Sequence, residues 1–316
     1  MKTATTIDEQ IQRLRNRGMI ISDEHKAREV LSDIGYYRLG FYWFPFELRY
    51  PNRHHRDHIF RPNSNFEDAL TLYYFDQDLR KALTPMLHRV EIHLRTTIVY
   101  VISNYYRENP TWFSDPKIVT STFLEKLPAL YADVRKNYTI KIHHRNYRND
   151  IYAPAWKTIE YITFGSLLFL FENLKSEPLK CRIAESMGVK NLKAFQSHMQ
   201  TLRELRNVCA HGHNLFDLRL SRPITPGEIQ IYSPAERSNV TGAIKVLAYT
   251  LSHISQSRSN ELQENVTKLV HELENSAVYY LISHIKNIEL PMDTRLQTLI
   301  YLKTDGNQSE FATMMG

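Results

Sequence analysis

Apolar residues recur at steps of three and four along most of the chain, which is the spacing of one face of an α-helix. The longest series runs from Phe66 to about Arg107, and Pro85 is expected to kink or split that helix. Another series ends in a polar sequence and comprises Leu192, Phe195, Met199, Leu202, Leu205 and Cys209. The pattern predicts an all-α fold, in which this second series forms a helix from about Asn191 to Ala210.

The remaining segments also follow helical periods, separated by turn-forming residues. Further helices are predicted at 6–17, 22–31, 35–44, 120–136, 155–174, 177–188, 238–256, 260–273, 275–288 and 293–302. Two polar stretches, 49–64 and 141–150, are predicted to be a loop and a basic linker. Residues 222–234 form the one convincing non-helical segment, where Pro226-Gly227 leaves a short hairpin as an option.

Composition limits the classes of function without deciding among them. With 316 residues, the chain is long enough for one or two domains and a sizeable core. Its net charge of +6 suits a polyanionic partner but is also common in proteins that bind no nucleic acid. The two cysteines form no disulfide framework and no apolar run could span a bilayer, so we expect a cytoplasmic protein without membrane contact.

The polar sequence that ends the 191–210 helix is Arg206-Asn207-Val-Cys-Ala-His211, followed by Gly212 and His213. An always-charged guanidinium near imidazoles, which exchange protons near neutral pH, is suited to cleaving a phosphodiester. Continuing the apolar series by the same steps reaches positions 206, 209 and 213, so the helix would carry Arg206 and His213 toward its buried side. A buried charge needs a partner or a ligand.

Residue types and spacing leave two interpretations of this motif open. In the structural one, Arg206 pairs with a carboxylate such as Glu204, and a histidine at the helix end faces the C-terminal dipole. The Arg-x-x-x-x-His spacing also occurs twice within residues 49–58, so the bare spacing is weakly specific. Those two matches lie in a polar run without an apolar period, which predicts a loop and separates them from the helical match.

Five segments carry a likeness to a known family: IGYYRLGFYWFPF at 34–46, YFDQDLR at 74–80, RVEIHLR at 89–95, FGSL at 164–167 and LRNVCAH at 205–211. Together they resemble the Abi (abortive infection) family of bacterial phage-defence proteins, which belong to the HEPN superfamily. The likeness covers roughly residues 20–250. The family's Arg-Asn-x-x-x-His element is a ribonuclease signature, and its equivalents here are Arg206, Asn207 and His211. The family often has a second histidine directly afterwards, whereas Gly212 precedes His213 here, so the role of His213 stays open.

The resemblance implies a HEPN-like helical bundle and a division of the chain into three parts. We expect an N-terminal helical region at 1–64, the HEPN-like core with the motif at 65–257, and a C-terminal helical extension at 258–316. It also implies cleavage without metal, by attack of the RNA 2′-hydroxyl on the adjacent phosphorus. In that chemistry His211 would move a proton and Arg206 would stabilise the phosphorane charge. Asn207 would orient an imidazole or bind phosphate.

Other polar groups are candidates for supporting roles. Glu91 and Arg95 lie four apart on a predicted helix, where they could pair with each other, hold the motif helix or, for Arg95, face the RNA. Tyr37 and Arg38 are expected to tie the N-terminal segment to the core, and the aromatic residues around Trp43 to be packing rather than a base-stacking surface.

Two histidine-rich stretches have weaker alternatives. The histidines and aspartate of 54–58 could ligate a metal, but adjacent histidines in a polar loop usually face solvent, so no metal and no other cofactor is predicted. Residues 143–148 could contact RNA, although a solvated charge run is the more common outcome.

These inferences predict a metal-independent endoribonuclease that acts as a toxin-like effector in abortive infection. Its substrate would be RNA, because deoxyribose lacks the nucleophile. HEPN nucleases typically build one cleft from two such motifs, so this chain, with one helical motif, is expected to form a homodimer. An antitoxin, either RNA or protein, would be a further partner. The competing hypotheses are a non-catalytic HEPN-fold module that binds a regulatory RNA or senses a phage component, and a structural scaffold.

Overall fold

The computed structural model of the chain describes residues 3–229, 231, 233–286 and 288, and it confirms the all-α prediction. The described part contains isolated β-bridges but no strand. The α-helices of this part are α1 (Ile7–Asn16), α2 (Glu24–Asp33), α3 (Tyr36–Trp43), α4 (Phe66–Tyr105), α5 (Ser121–Val134), α6 (Tyr138–Asn146), α7 (Ala155–Thr158), α8 (Phe164–Glu172), α9 (Glu177–Glu185), α10 (Leu192–His211), α11 (Val240–Ile254), α12 (Gln256–His271) and α13 (Tyr279–Ile282).

Helix α4 is the scaffold against which much of the molecule packs. Its 40 residues make it about 60 Å long. Its buried residues recur at helical spacing over the whole length, and α3, α9, α10, α11 and α12 pack against it. Pro85 lies inside α4 without dividing it, so the alternative of a split helix is wrong.

Helix α10 carries the predicted motif and matches the predicted bounds to within a residue. Its N-cap Asn191 accepts a hydrogen bond from the backbone N–H of Ala194, which satisfies a donor of the first turn. The predicted apolar stripe is buried from Phe195 to Cys209, with Leu202 and Leu205 fully enclosed, and Leu192 is partly buried. Gly212 ends the helix in the left-handed conformation.

Two predicted segments in the middle of the chain are corrected by the structure. The single helix expected at 155–174 is divided into α7, a 3₁₀ turn and α8, because the Thr163 side chain caps α8 by accepting from the N–H of Ser166. The basic linker expected at 141–150 is helical as far as Asn146, because Ile140 and His143, one turn apart, both turn into the protein.

The C-terminal predictions also change. The described residues of 222–234 contain no strand and therefore form no hairpin among themselves, and an isolated bridge between Arg219 and Asn239 closes the segment. The helix expected at 275–288 is limited to α13 and a 3₁₀ turn at Ser283–Lys286. The helix expected at 293–302 lies outside the described residues.

The predicted division at 64 and 257 stays a prediction. Helix α12, from the predicted C-terminal extension, packs closely against α11 and α4. None of the helices in the described part combines the length and apolar content needed to cross a bilayer.

Candidate active site

The end of α10 presents two imidazoles in a fixed relation to each other. Gly212 has φ 66°, and a Cβ at this position would lie 3.0 Å from Nη1 of Arg38, so glycine is favoured by both conformation and space. The N–H of His213 donates to the carbonyl of Val208 at 3.1 Å, which closes the turn. The rings of His211 and His213 lie 6.0 Å apart between centroids, and both side chains are exposed.

The exposure of His213 differs from the sequence expectation. The apolar series, continued past the helix end, would have placed His213 on the buried side. The left-handed Gly212 breaks the helical phase before His213 is reached, so the ring turns to solvent beside His211. The prediction of a buried His213 is therefore wrong.

Two arginines from other helices hold the backbone of this turn. Arg38 of α3 donates to the carbonyl of Gly212 at 2.7 Å, and Arg80 of α4 donates to the carbonyl of His213 at 2.9 Å. A charged donor makes a stronger hydrogen bond than a neutral one. The turn that carries both histidines is thus fixed from two sides.

Asp76 of α4 anchors the segment that follows the histidines. Its fully buried carboxylate accepts the backbone N–H groups of Leu215 and Phe216 at 2.6 and 2.8 Å, and the hydroxyl of Tyr42 at 3.1 Å. Burial raises the pKa of Asp76 to about 6, although these bonds and the charge of Arg80 act in the opposite direction.

Sequence reasoning missed Asp76 and Arg80, even though both lie in a segment that carries the family resemblance. A signal was present: Asp76 stands on the apolar face of a helix, between Leu72 and Leu79, where an ionisable residue needs a specific partner. The sequence does not show that this partner is the backbone of residues 215 and 216.

Arg206 is held by Glu91 rather than by the expected Glu204. Its Nε lies 3.6 Å from Oε2 of Glu91, and its side chain is 35% exposed. Glu204 instead accepts hydrogen bonds from the backbone N–H and hydroxyl of Ser221 at 2.9 and 2.8 Å. The predicted Glu204 pairing is wrong because residues two apart on a helix point about 160° away from each other.

The same Glu91 also pairs with Arg95, four residues along α4, at 3.1 Å. Arg95 donates further hydrogen bonds to the carbonyls of Ile159 and Ile162 at 3.0 and 3.2 Å, and its side chain is 11% exposed. Glu91 therefore bridges two arginines, and Arg95 lies behind Arg206 rather than on the surface.

Asn207 and His211 complete the motif. Asn207 is exposed, and its Oδ1 accepts a hydrogen bond from Nη1 of Arg206 at 3.4 Å. Arg206 and His211 lie about 140° apart around α10. No hydrogen bond or ion pair in the described part joins these two side chains.

His211, Gly212 and His213 line an open cleft of about 590 Å³ together with Tyr37 and Phe41 of α3. The buried Cys209 thiol nearby is no nucleophile, because burial raises its pKa to about 12 and keeps it protonated at neutral pH.

Comparison with known proteins adds one finding. A family profile described as Abi-like protein matches residues 29–217, which is more than half of the 316-residue chain. The chain belongs to the Abi-like family. No curated protein and no solved structure matches it significantly. Membership of the Abi-like family suggests a role in abortive infection, a defence against phage.

The histidine-rich stretches outside the motif have separate surroundings in this Abi-like protein. The 49–64 segment is a loop in which His58 contacts the buried carboxylate of Glu47 at 3.2 Å. His143 is buried against Asp150 at 3.0 Å and stacked on Tyr147. In the described part of the chain, no three histidine, cysteine or acidic side chains are grouped closely enough to hold a metal ion.

Proposed function

We propose that the protein is a metal-independent endoribonuclease whose active site contains Arg206, Asn207 and His211. The observation that carries this proposal is the sharing of Glu91 between Arg95 and Arg206. One carboxylate between two guanidinium groups leaves an excess positive charge. That charge lies on the partly exposed Arg206, beside Asn207 and within two helical turns of two exposed imidazoles.

This arrangement suits cleavage by the RNA's own 2′-hydroxyl. The 2′-oxygen attacks phosphorus and the bond from phosphorus to the 5′-oxygen breaks, which leaves a 2′,3′-cyclic phosphate. A histidine takes the 2′-hydroxyl proton and a second proton reaches the leaving 5′-oxygen. Arg206 stabilises the charge on the phosphorane, for which its planar fork is suited. His211 is the proposed proton carrier, and the exposed His213 ring, 6.0 Å away, is placed to assist.

The separation of Arg206 and His211 favours a cleft built from two copies of the chain. Side chains about 140° apart on one helix do not converge on a single phosphate. Two α10 helices facing each other across a two-fold axis would bring Arg206 of one copy toward His211 of the other. The protein would then act as a homodimeric, toxin-like effector in abortive infection, restrained until needed by an RNA or protein antitoxin.

The proposal is tested by replacing the two residues that would act on phosphate. Arg206→Ala and His211→Ala are each expected to lower cleavage of a short unstructured RNA by at least about a hundredfold, because each removes a transition-state interaction. Wild-type cleavage should persist in EDTA, since the nucleophile belongs to the substrate. The products, identified by end-labelling and mass spectrometry, should carry 2′,3′-cyclic phosphate or 3′-phosphate.

His54→Ala is the matched control, because His54 is an exposed histidine in the 49–64 loop and should leave cleavage unchanged. Full activity in a folded Arg206→Ala or His211→Ala variant would overturn the assignment. A strict requirement for a divalent ion, or products with a 3′-hydroxyl, would overturn the chemistry.

A further inference from the structure

Helix α3 contributes an exposed aromatic pair to the motif cleft, the 590 Å³ cleft that His211 and His213 also line. Tyr37 is 84% exposed and Phe41 is 44% exposed, one turn further along the same face, with ring centroids 5.6 Å apart. The other face of α3 is buried through Leu39, Tyr42 and Trp43. The expectation that Tyr37 ties the N-terminal segment to the core is therefore wrong, whereas Arg38 does bind the motif turn at Gly212.

That contact of Arg38 fixes the position of the pair. Because Arg38 is adjacent to Tyr37 and bonds to the residue after His211, the exposed rings are held in the lining of the same cleft as the motif histidines. Exposed aromatic side chains beside cationic groups are the usual platform for unpaired nucleobases. Here the cationic groups are Arg53 and Arg219, which share the single carboxylate of Asp217.

A second cleft of about 610 Å³ lies along the outer face of α10. Polar residues of α10 line it at helical steps, in the series Lys193, Gln196, Gln200 and Arg203, and the same steps continue to Asn207 of the motif. From 193 to 207 this stripe spans about 21 Å. Arg222, from the segment after the motif, also lines this cleft.

The cations of this second cleft are available for a ligand. Lys193, Arg203 and Arg222 form no ion pair with any described residue. The two acids of the cleft bond to neutral donors instead: Glu172 accepts from Gln200 at 2.7 Å, and Glu204 accepts from Ser221. Glu204 also lines the motif cleft, so the two clefts adjoin at this residue.

We infer that the two clefts form one continuous binding path for single-stranded RNA. This inference rests on the proposed ribonuclease function and names its substrate class. An unpaired base stacks on Tyr37 and Phe41, and the phosphates on one side of the cleavage point lie along Lys193, Arg203 and Arg222. Duplex RNA does not fit this path, because its bases are already stacked and paired. The run of unpaired cations along the second cleft fits RNA better than a second copy of this chain, whose net charge is +6.

Binding is measured apart from cleavage, with wild-type protein and a fluorescent, fully 2′-O-methylated RNA of about 12 unstructured nucleotides, which lacks the nucleophile. We expect the single strand to bind at least about tenfold more tightly than a duplex of equal length. Tyr37→Ala and Tyr37→Ala/Phe41→Ala should weaken binding of the single strand by about tenfold or more, whereas Tyr37→Phe, which keeps the ring, should not. Tyr138→Ala removes a tyrosine of similar exposure (75%) on α6 and serves as the control.

The cationic part of the path has an independent readout in the salt dependence of binding. Lys193→Gln/Arg222→Gln removes two proposed phosphate contacts and should lower the slope of log K against log salt by about 1.4. Lys117→Gln/Arg13→Gln removes the same charge from exposed positions away from both clefts and should leave the slope nearly unchanged.

Each outcome decides between the alternatives. Equal affinity for duplex and single strand, or unchanged binding by Tyr37→Ala, would overturn the binding path. If the Tyr37→Ala and Tyr37→Ala/Phe41→Ala variants no longer have the mass of a dimer but bind RNA unchanged, the aromatic pair belongs to a subunit contact. That result would also overturn the binding path. If wild-type protein binds the methylated RNA along this path but cleaves no RNA, the ribonuclease proposal fails while the path stands. If wild-type protein cleaves RNA but the variants of the aromatic pair and of Lys193 and Arg222 bind RNA normally, the binding path fails while the ribonuclease proposal stands.

Discussion

The Asp76 carboxylate is surrounded by the groups that it binds. It accepts hydrogen bonds from the backbone N–H groups of residues 215 and 216 and from the Tyr42 hydroxyl, and burial raises its pKa to about 6. A carboxylate that accepts several hydrogen bonds orders the donors as well as itself. Asp76 thereby fixes where the chain goes after His213, and so fixes the orientation of the motif turn.

The raised pKa of Asp76 predicts a specific dependence of stability on pH. The native state keeps this proton up to about pH 6, whereas an unfolded aspartate loses it near its ordinary value of 3.8. The contribution of Asp76 is therefore fully present below pH 3.8 and is lost as pH rises through 6, by about 3 kcal/mol. Urea unfolding of wild type and Asp76→Asn, from about pH 4 to pH 7.5, measures this change.

Because asparagine does not ionise, the difference in unfolding free energy, wild type minus Asp76→Asn, should fall as pH rises over this range. A difference that is constant or increases with pH would show that the hydrogen bonds to Leu215 and Phe216 outweigh burial in setting the pKa of Asp76.

At the residue scale, the sequence pointed to the groups that are proposed to carry chemistry but not to the groups that hold them. Arg206, Asn207 and His211 are recognisable because they lie close together in sequence on one helix and match a family signature. The carboxylate that contacts Arg206 is far away in sequence, on another helix, and a local rule chose Glu204 instead of Glu91. Such a pairing depends on how two helices pack, which spacing along one helix does not contain.

At the element scale, α4 places the polar groups that hold the motif along one line. Asp76, Arg80, Glu91 and Arg95 are separated by four, eleven and four residues, which keeps them on one side of the helix. Asp76 and Arg80 hold the segment after His211. Glu91 contacts Arg206, and Arg95 pairs with Glu91. Packing of α10 against α4 therefore sets both ends of the motif at once.

This arrangement predicts a positioning role for Glu91. Glu91→Gln removes the charge that holds Arg206, so kcat for RNA cleavage should fall by about tenfold or more. Affinity for a non-cleavable RNA should change little, because Glu91 is buried and therefore out of reach of a phosphate on the surface. Thermal unfolding should also occur at a lower temperature, since Arg95 loses a buried partner. Steady-state kinetics with a methylated-RNA binding assay separates these effects.

Asp78→Asn is the matched control on the same helix, because among the described residues Asp78 pairs with the exposed Lys81 alone. It should alter neither kcat nor the unfolding temperature measurably. A Glu91→Gln protein with lower stability but unchanged kcat would show that Glu91 supports the fold alone.

Elements with a strong apolar period could be predicted, and those set by single side chains could not. Helices α4 and α10 were predicted because apolar residues mark one face throughout. The division of 155–174 depends on one cap at Thr163, which an apolar run hides. The helix at 141–146 was missed because a buried histidine, His143, occupies a position where the pattern called for an apolar residue.

At the scale of the whole molecule, one chain supplies one helical motif, and that motif does not converge on a single point. Its arginine is held inward by Glu91, while its histidines line a cleft together with residues of α3. In the proposed two-fold dimer, one composite cleft would contain Arg206 and His211 of both copies, with Arg206 of each copy toward His211 of the other. The anionic substrate would provide a ligand for both partly buried arginines. Activity should then depend on how intact and inactive chains are paired.

Subunit mixing tests this dependence. Wild-type chains are re-associated with an equal amount of Arg206→Ala/His211→Ala chains, under conditions that exchange subunits, and cleavage of a short RNA is measured per total protein. If one site needs both motifs, about a quarter of the randomly formed dimers retain activity. If each chain acts alone, activity stays near half of the wild-type value. A monomer that cleaves RNA at high dilution would lead to the same conclusion. Mixing with His54→Ala chains should leave full activity, which controls for damage during exchange. Half activity would exclude the composite site and leave the ribonuclease proposal standing, because Arg206 and His211 would then act within one chain.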